Sequence, residues 1–174
     1  MPEAAWVTGL SQRAVQHEID EKIVPANARE GRRGVAGLDL VYLSVIRQHH
    51  ALISPALRKQ VRNAIALSIS ENRSTARVEP FSVSLSPIAA QVLAGFQTLE
   101  RLKRDFVERR PDILGGEPVL KGTRLGIRHI AGLVGQGATP EELADDFDLT
   151  PEQVEAAVVL AKVNPRRGRP RSVP

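Results

Sequence analysis

The chain contains no cysteine, and among its 174 residues there are only one tryptophan, one tyrosine and four phenylalanines. The absence of thiols excludes disulfides, thiolate nucleophiles and cysteine metal centres, and it suits a reducing compartment, so a cytoplasmic location is expected. Scarce aromatics leave Leu, Val, Ile and Ala to build the core, which favours packed helices over an aromatic-lined ligand pocket. No apolar run approaches the ~20 residues that cross a bilayer, and the N-terminus lacks the basic-then-apolar order of a signal peptide, so no membrane partner is expected. Catalytic chemistry is equally poorly supplied. His17, His49, His50 and His129 are scattered, and no nucleophile with an adjacent base, paired acids or phosphate-binding loop accompanies them. Neither an enzymatic activity, nor a cofactor, nor a metal is expected.

Positive charge, by contrast, is unevenly placed. The chain has 24 Lys and Arg against 20 Asp and Glu. The whole excess of four equals the four arginines of the last eleven residues, Arg166, Arg167, Arg169 and Arg171. This end carries no acid and almost nothing for a core, so it reads as a solvated or partner-bound tail.

Hydrophobic spacing divides the remainder into helices. From Leu10 to Val24, Leu10, Val15, Ile19 and Ile23 recur at helical intervals, with Ser11 placed to cap the start and Pro25 to end the helix. A short helix precedes it across Gly9, and two helices meeting at a glycine turn outline a helix-turn-helix. The outward positions Gln12, Arg13, Gln16 and His17, with Ser11, combine amide, hydroxyl and cationic groups, as contacts with base edges and phosphates require. An ordinary solvated face fits the same pattern equally well. The following stretch contains Arg29, Arg32 and Arg33 among glycines and reads as a loop or small hairpin wing. A basic wing beside that helix turns the balance toward DNA.

Leu38, Val41, Tyr42, Val45 and Ile46 then form a strong helical stripe. A further helix, capped by Ser54 with Pro55 at its first position, is expected to bury Leu57, Val61, Ile65 and Ile69. Phe81 to Leu85 alternates as a half-buried strand, expected to pair with the wing or with another chain. After Ser86-Pro87 a long helix is expected to about Glu108. Its seam of Ile88, Val92, Gly95, Leu99, Leu102 and Phe106 serves either a partner helix in a homodimer or packing within the chain.

Pro111 opens a different unit, with a glycine-punctuated hairpin or extended arm over 113–125 and three close helices. Thr139-Pro140-Glu141-Glu142 and Thr150-Pro151-Glu152-Gln153 are two capping boxes. The second and third helices carry Glu141, Glu142, Asp145, Asp146, Asp148, Glu152 and Glu155, a face that repels phosphate, so this unit is expected to contact protein and not DNA. The expected fold is mainly α. A winged helix-turn-helix spans 1–75, a strand and long connecting helix 76–110, a trihelical helix-turn-helix-like unit with a short β arm 111–163, and a disordered basic tail 164–174.

Pro111 to Leu125, with its Gly116-Glu117-Pro118-Val119-Leu120-Lys121-Gly122-Thr123-Arg124 core, and the helix starts at Ala138-Thr139-Pro140-Glu141-Glu142 and Leu149-Thr150-Pro151-Glu152-Gln153, resemble the bacterial domain-of-unknown-function family 433. Members of that family are commonly VapB-type antitoxins. The N-terminal part resembles a MerR-type winged helix-turn-helix. The resemblance implies an antitoxin that inhibits a VapC-type PIN-domain ribonuclease, represses its own operon as a homodimer on operator DNA, and uses the tail arginines against the acidic site of the toxin. Two further destinations for the tail stay open. Arg166-Arg167-Gly168-Arg169-Pro170 resembles an AT-hook suited to the minor groove, as in a stand-alone regulator or architectural DNA binder, and a purely solubilising end fits equally simple chemistry.

Overall fold

The computed structural model describes residues 1–25, 27–29, 32–49 and 53–164. The protein is mainly helical, with eight α-helices and three small antiparallel two-stranded sheets among the described residues. It divides into two compact units, Met1–Gln97 and Thr98 onward.

The first unit begins with α1 (Pro2–Thr8), which ends at Gly9 in the left-handed conformation with φ of 71°. After this turn, Ser11 accepts a hydrogen bond from the Ala14 N–H and starts α2 (Gln12–Asp20). The end of α2 is set earlier than Pro25. Lys22 adopts a positive φ, and the N–H groups of Ile23 and Val24 both return to the Glu18 carbonyl. This closes the helix while burying Ile23 and Val24 beneath it. A hairpin follows, β1 (Asn27–Arg29) against β2 (Arg32–Gly34), with Ala28 opposite Arg33.

Helix α3 (Gly37–His49) is the centre of this unit: every residue from Asp39 to Ile46 is buried. Helix α4 (Pro55–Ser70) starts at the Ser54 cap, whose side chain accepts from the Leu57 N–H. Its buried stripe differs from the expected one. Arg58, Val61, Ile65 and Ser68 face inward, whereas Ile69 is exposed. The observed stripe runs i, i+3, i+7, i+10 and the expected one i, i+4, i+8, i+12, both on one helical face, but an arginine and a serine occupy the ends of the observed stripe.

The strand at Phe81–Ser84 (β4) pairs with β3 (Thr75–Val78), in the register Thr75 opposite Ser84. This corrects the expected pairing with the wing or another chain. The partner is the segment just before it, and the buried Ala76 of β3 brings this hairpin onto α4. Helix α5 (Leu85–Phe106) follows without a loop. Its seam residues Ile88, Val92 and Leu99 are buried within the single chain, and Gly95 lies against Val7 of α1.

In the second unit the chain leaves α5 two residues before the expected end. Val107–Arg109 is instead β5, paired with β6 (Pro118–Leu120), with Glu108 opposite Val119. The Lys121 N–H donates to the Phe106 carbonyl and the Gly122 N–H to Glu108 Oε1. The glycine-punctuated arm is thus one strand of a small sheet whose other strand is the former helix end, with a 3-10 turn at Leu114–Gly116 between them.

Three helices then pack together: α6 (Ile127–Gly135), α7 (Pro140–Phe147) and α8 (Pro151–Val163). Both capping boxes form. The Thr139 hydroxyl accepts from the Glu142 N–H while Glu142 Oε2 accepts from the Thr139 N–H, and Thr150 and Gln153 repeat the exchange. These bonds hold the Glu142 carboxyl below its ordinary range, the Thr139 backbone N–H being the larger cause. Protonating it removes the capping acceptor, so this contribution is present above the usual carboxyl range and fades as pH falls through the lowered value. Thr139→Ala and Thr150→Ala should each cost about 1 kcal/mol in the thermal unfolding of this unit, read by circular dichroism.

Helix α8 is buried over more than one narrow stripe. Val154, Ala156, Ala157, Leu160 and Val163 are all inside, because α6 and α7 both pack on it.

Candidate nucleic-acid interface

The outward face of α2 carries four of the residues singled out in the sequence. Gln12, Arg13 and His17 are exposed and Gln16 is half-buried. Positions 12, 16 and 20 form one i, i+4 row and 13 and 17 the adjacent row, so these side chains share a surface. Gln16 Nε2 donates to Asp20 Oδ1 at 2.8 Å, which orients the amide along the helix. Ser11 is occupied as the cap. Thr8 Oγ1 donates to the Ala4 carbonyl at 2.7 Å and accepts from the Leu10 N–H at 3.4 Å, so the turn between the helices is tied to α1.

The inward face of α2 contains Val15, fully buried, and a residue that sequence patterning missed. Glu18 is only 2% exposed. Its Oε2 accepts from the Tyr42 hydroxyl of α3 at 2.7 Å, and its Oε1 pairs with Arg58 Nη1 of α4 at 2.9 Å. Arg58 Nε also donates to the Ile53 carbonyl. Beside this lies a second pair, Arg62 Nε to Asp39 Oδ1 at 2.6 Å, with Asp39 fully buried. Among the described residues Asp39 Oδ2 has no hydrogen-bond partner. Its charge sits in the first turn of α3, where the helix dipole favours an anion.

Two carboxylates, two guanidiniums and one phenol thus join α2, α3 and α4 at their common core. Burial chiefly, and then the hydrogen bond to Glu18, pushes the Tyr42 phenol well above its ordinary range, so it stays a neutral donor. A polar network fixes geometry more narrowly than apolar contact does, because its bonds are satisfied in one arrangement. Its only trace in the sequence is a carboxylate on the apolar side of α2 and arginines spaced i, i+4 on α4, which fits a solvated face equally well.

The basic wing follows directly. The backbone of Arg29, Arg32 and Arg33 forms the β1–β2 hairpin; their side chains lie outside the described part of the protein. The tail arginines Arg166, Arg167, Arg169 and Arg171, expected from the sequence to meet a toxin, also lie outside the described residues. The point from which they depart is well defined. Arg128 Nε donates to the Asn164 carbonyl at 3.0 Å, Arg128 Nη1 pairs with Glu117 at 3.0 Å, and the Asn164 side chain returns to the Leu160 carbonyl.

The acids of α7, of the turn after it and of α8 are all exposed: Glu141, Glu142, Asp145, Asp146, Asp148, Glu152 and Glu155. No lysine or arginine occurs between Arg128 and Lys162 to offset them. This surface attracts cations and repels a phosphate backbone. Among the described residues no group of three or more His, Asp or Glu is arranged to hold a metal ion, and no helix is long and apolar enough to cross a membrane.

Residues 107–161 match the family model described as protein of unknown function DUF433. Over 192 aligned residues, covering 97% of this chain and 82% of the other, the protein is 30% identical to uncharacterized protein y4eO of Sinorhizobium fredii. Among solved structures, the crystal structure of Rv2018 from Mycobacterium tuberculosis aligns with 90% of this chain and 94% of its own, at 17% identity and a TM-score of 0.35.

Proposed function

We propose that this chain, which belongs to the same family as uncharacterized protein y4eO of Sinorhizobium fredii, is the antitoxin of a type II toxin–antitoxin pair. Its N-terminal unit binds operator DNA as a MerR-like winged helix-turn-helix. Its C-terminal DUF433 unit and arginine tail bind and inhibit a PIN-domain ribonuclease, in the manner of VapB-type antitoxins.

The observation that carries the DNA reading is the two-sided character of α2. Its outer face presents Gln12, Arg13, Gln16 and His17, while Glu18 on the opposite face is locked to Tyr42 and Arg58. A recognition helix needs that combination, since readout of base edges depends on side chains held in one orientation by a rigid scaffold. The exposed carboxylates of the second unit support a division of labour in which DNA is left to the first unit. A palindromic operator would be bound by a homodimer with half-sites one helical turn, or a multiple, apart.

The test uses duplexes from the region upstream of its own operon. Arg13→Ala combined with Gln16→Ala should weaken operator binding at least about thirtyfold, given 1–3 kcal/mol for each base contact, while leaving ribonuclease inhibition intact. Unchanged operator affinity would overturn the DNA assignment. In the same preparation, a chain ending at Asn164 should lose inhibition of the ribonuclease encoded beside it. Inhibition that survives the truncation removes the tail from the toxin interface. A truncation that instead lowers DNA affinity transfers the tail to the minor groove and favours a stand-alone regulator.

A further inference from the structure

Arg47 lies on the last part of α3, outside the set of residues that sequence spacing marks for nucleic acid. Its backbone belongs to the buried helix, yet its side chain is exposed. The guanidinium reaches back to the turn between α1 and α2 and rests on Gly9. A Cβ placed on Gly9 would stand 2.9 Å from Arg47 Cζ, 2.9 Å from Nη1 and 3.1 Å from Nε. Glycine is favoured there by its φ of 71°, and any Cβ at this position would push the guanidinium off the turn.

An arginine laid along a backbone in this way is partly pre-ordered, since contact with the turn restricts its long stem. Its donors are not consumed by that contact. Among the described residues no carboxylate pairs with it, and no hydrogen bond engages it. It also sits at the corner from which α2 departs. Gly9 stands two residues before the Ser11 cap and four before Arg13, which is itself exposed. An exposed guanidinium fork at this corner, with no ion pair among the described residues, matches the two terminal oxygens of a phosphodiester.

Resting on the DNA-binding reading, we infer that Arg47 is a phosphate clamp of the N-terminal unit. It grips the DNA backbone beside the α1–α2 turn and sets the depth and register at which α2 meets the groove. The contact is to phosphate and carries no sequence information, because the guanidinium is held on the turn and not on the outward face of α2. It therefore differs in kind from Gln12 and Gln16, whose amides are fitted to base edges.

The two kinds of contact separate under salt. Full-length protein is titrated by fluorescence anisotropy onto two duplexes of equal length, one from its own upstream region and one of random sequence, across a range of salt concentrations. Arg47→Ala should weaken binding to both duplexes by the same factor, roughly fivefold to tenfold near 0.1 M salt. The slope of log affinity against log salt should fall in magnitude by about one. Arg47→Lys, which keeps the charge and loses the fork, should keep the slope and give an intermediate affinity. Because Arg47 is exposed, the variant should retain the wild-type unfolding midpoint, which is measured alongside.

A slope equal to that of wild type, or a loss confined to the operator duplex, overturns the phosphate assignment while leaving the DNA reading intact. A wild-type chain that binds neither duplex overturns both. A loss of DNA affinity accompanied by a fall in the unfolding midpoint is tested with Arg47→Gln. If that variant has normal stability and an unaltered slope, the clamp is disproved; if its slope falls by about one, the clamp stands.

Discussion

Replacing Glu18 with alanine should destabilise the N-terminal unit by about 3–5 kcal/mol, the cost of removing one partner from a buried ion pair. The substitution deletes the carboxylate that both the Tyr42 hydroxyl and Arg58 Nη1 meet inside the core. Neither donor can turn to water from that depth, since Tyr42 is fully buried and Arg58 nearly so. Trp6, the single tryptophan, lies on α1 in the same unit, so its fluorescence in urea follows this unit separately from the second.

The expected shift is a large part of the 5–15 kcal/mol that holds a typical domain together. It should therefore also uncouple α2 from α3 and α4 at ambient temperature, with a loss of any DNA affinity that depends on a fixed α2. A combined Glu18→Leu, Tyr42→Phe and Arg58→Met variant should recover most of the stability, because a packed apolar triad avoids the buried charges altogether. A loss below about 1 kcal/mol for Glu18→Ala would mean that apolar contacts around Val15 position α2 unaided.

The contrast between Glu18 and the helix caps shows what a linear reading reaches. Ser11, Ser54, Thr139 and Thr150 all cap as expected, because a cap depends on neighbours within one turn of the chain. The outward face of α2 and the glycine-rich hairpin were legible for the same reason. Glu18 was not: its partners stand 24 and 40 residues away, and a carboxylate on an apolar stripe is indistinguishable from a solvated one until those partners are in place.

Arg58 is a like case on α4: it is buried by its distant partner Glu18, while Ile69, which spacing alone places inside, is exposed. Strand β5 is a second non-local case. Val107 to Arg109 continues the helical pattern of α5, and only pairing with Pro118–Leu120 draws it into a sheet. Arg47 escaped because its relation to Gly9 comes from how α1 and α2 pack against α3, which no spacing along the chain encodes.

The sole tyrosine makes the same network directly observable at high pH. In the unfolded chain the Tyr42 phenol should ionise near its ordinary value of 10. In the folded protein burial, reinforced by Glu18, raises it, against a smaller opposing influence from Arg58 and Arg62. The folded state therefore keeps its proton where the unfolded state has released it.

Stability from this group is complete below pH 10 and declines as pH rises further toward the folded value, at about 1.4 kcal/mol for each pH unit. The native protein should accordingly show no tyrosinate absorption as pH first passes 10, and the band should appear only together with unfolding of the N-terminal unit. In concentrated urea the same residue should titrate smoothly around its ordinary value. Tyr42→Phe should abolish this one-proton dependence, at a cost of about 1 kcal/mol at neutral pH for the lost hydrogen bond. Smooth native titration near pH 10, with Trp6 fluorescence unchanged, would show that the phenol reaches water and that Glu18 is held by Arg58 alone.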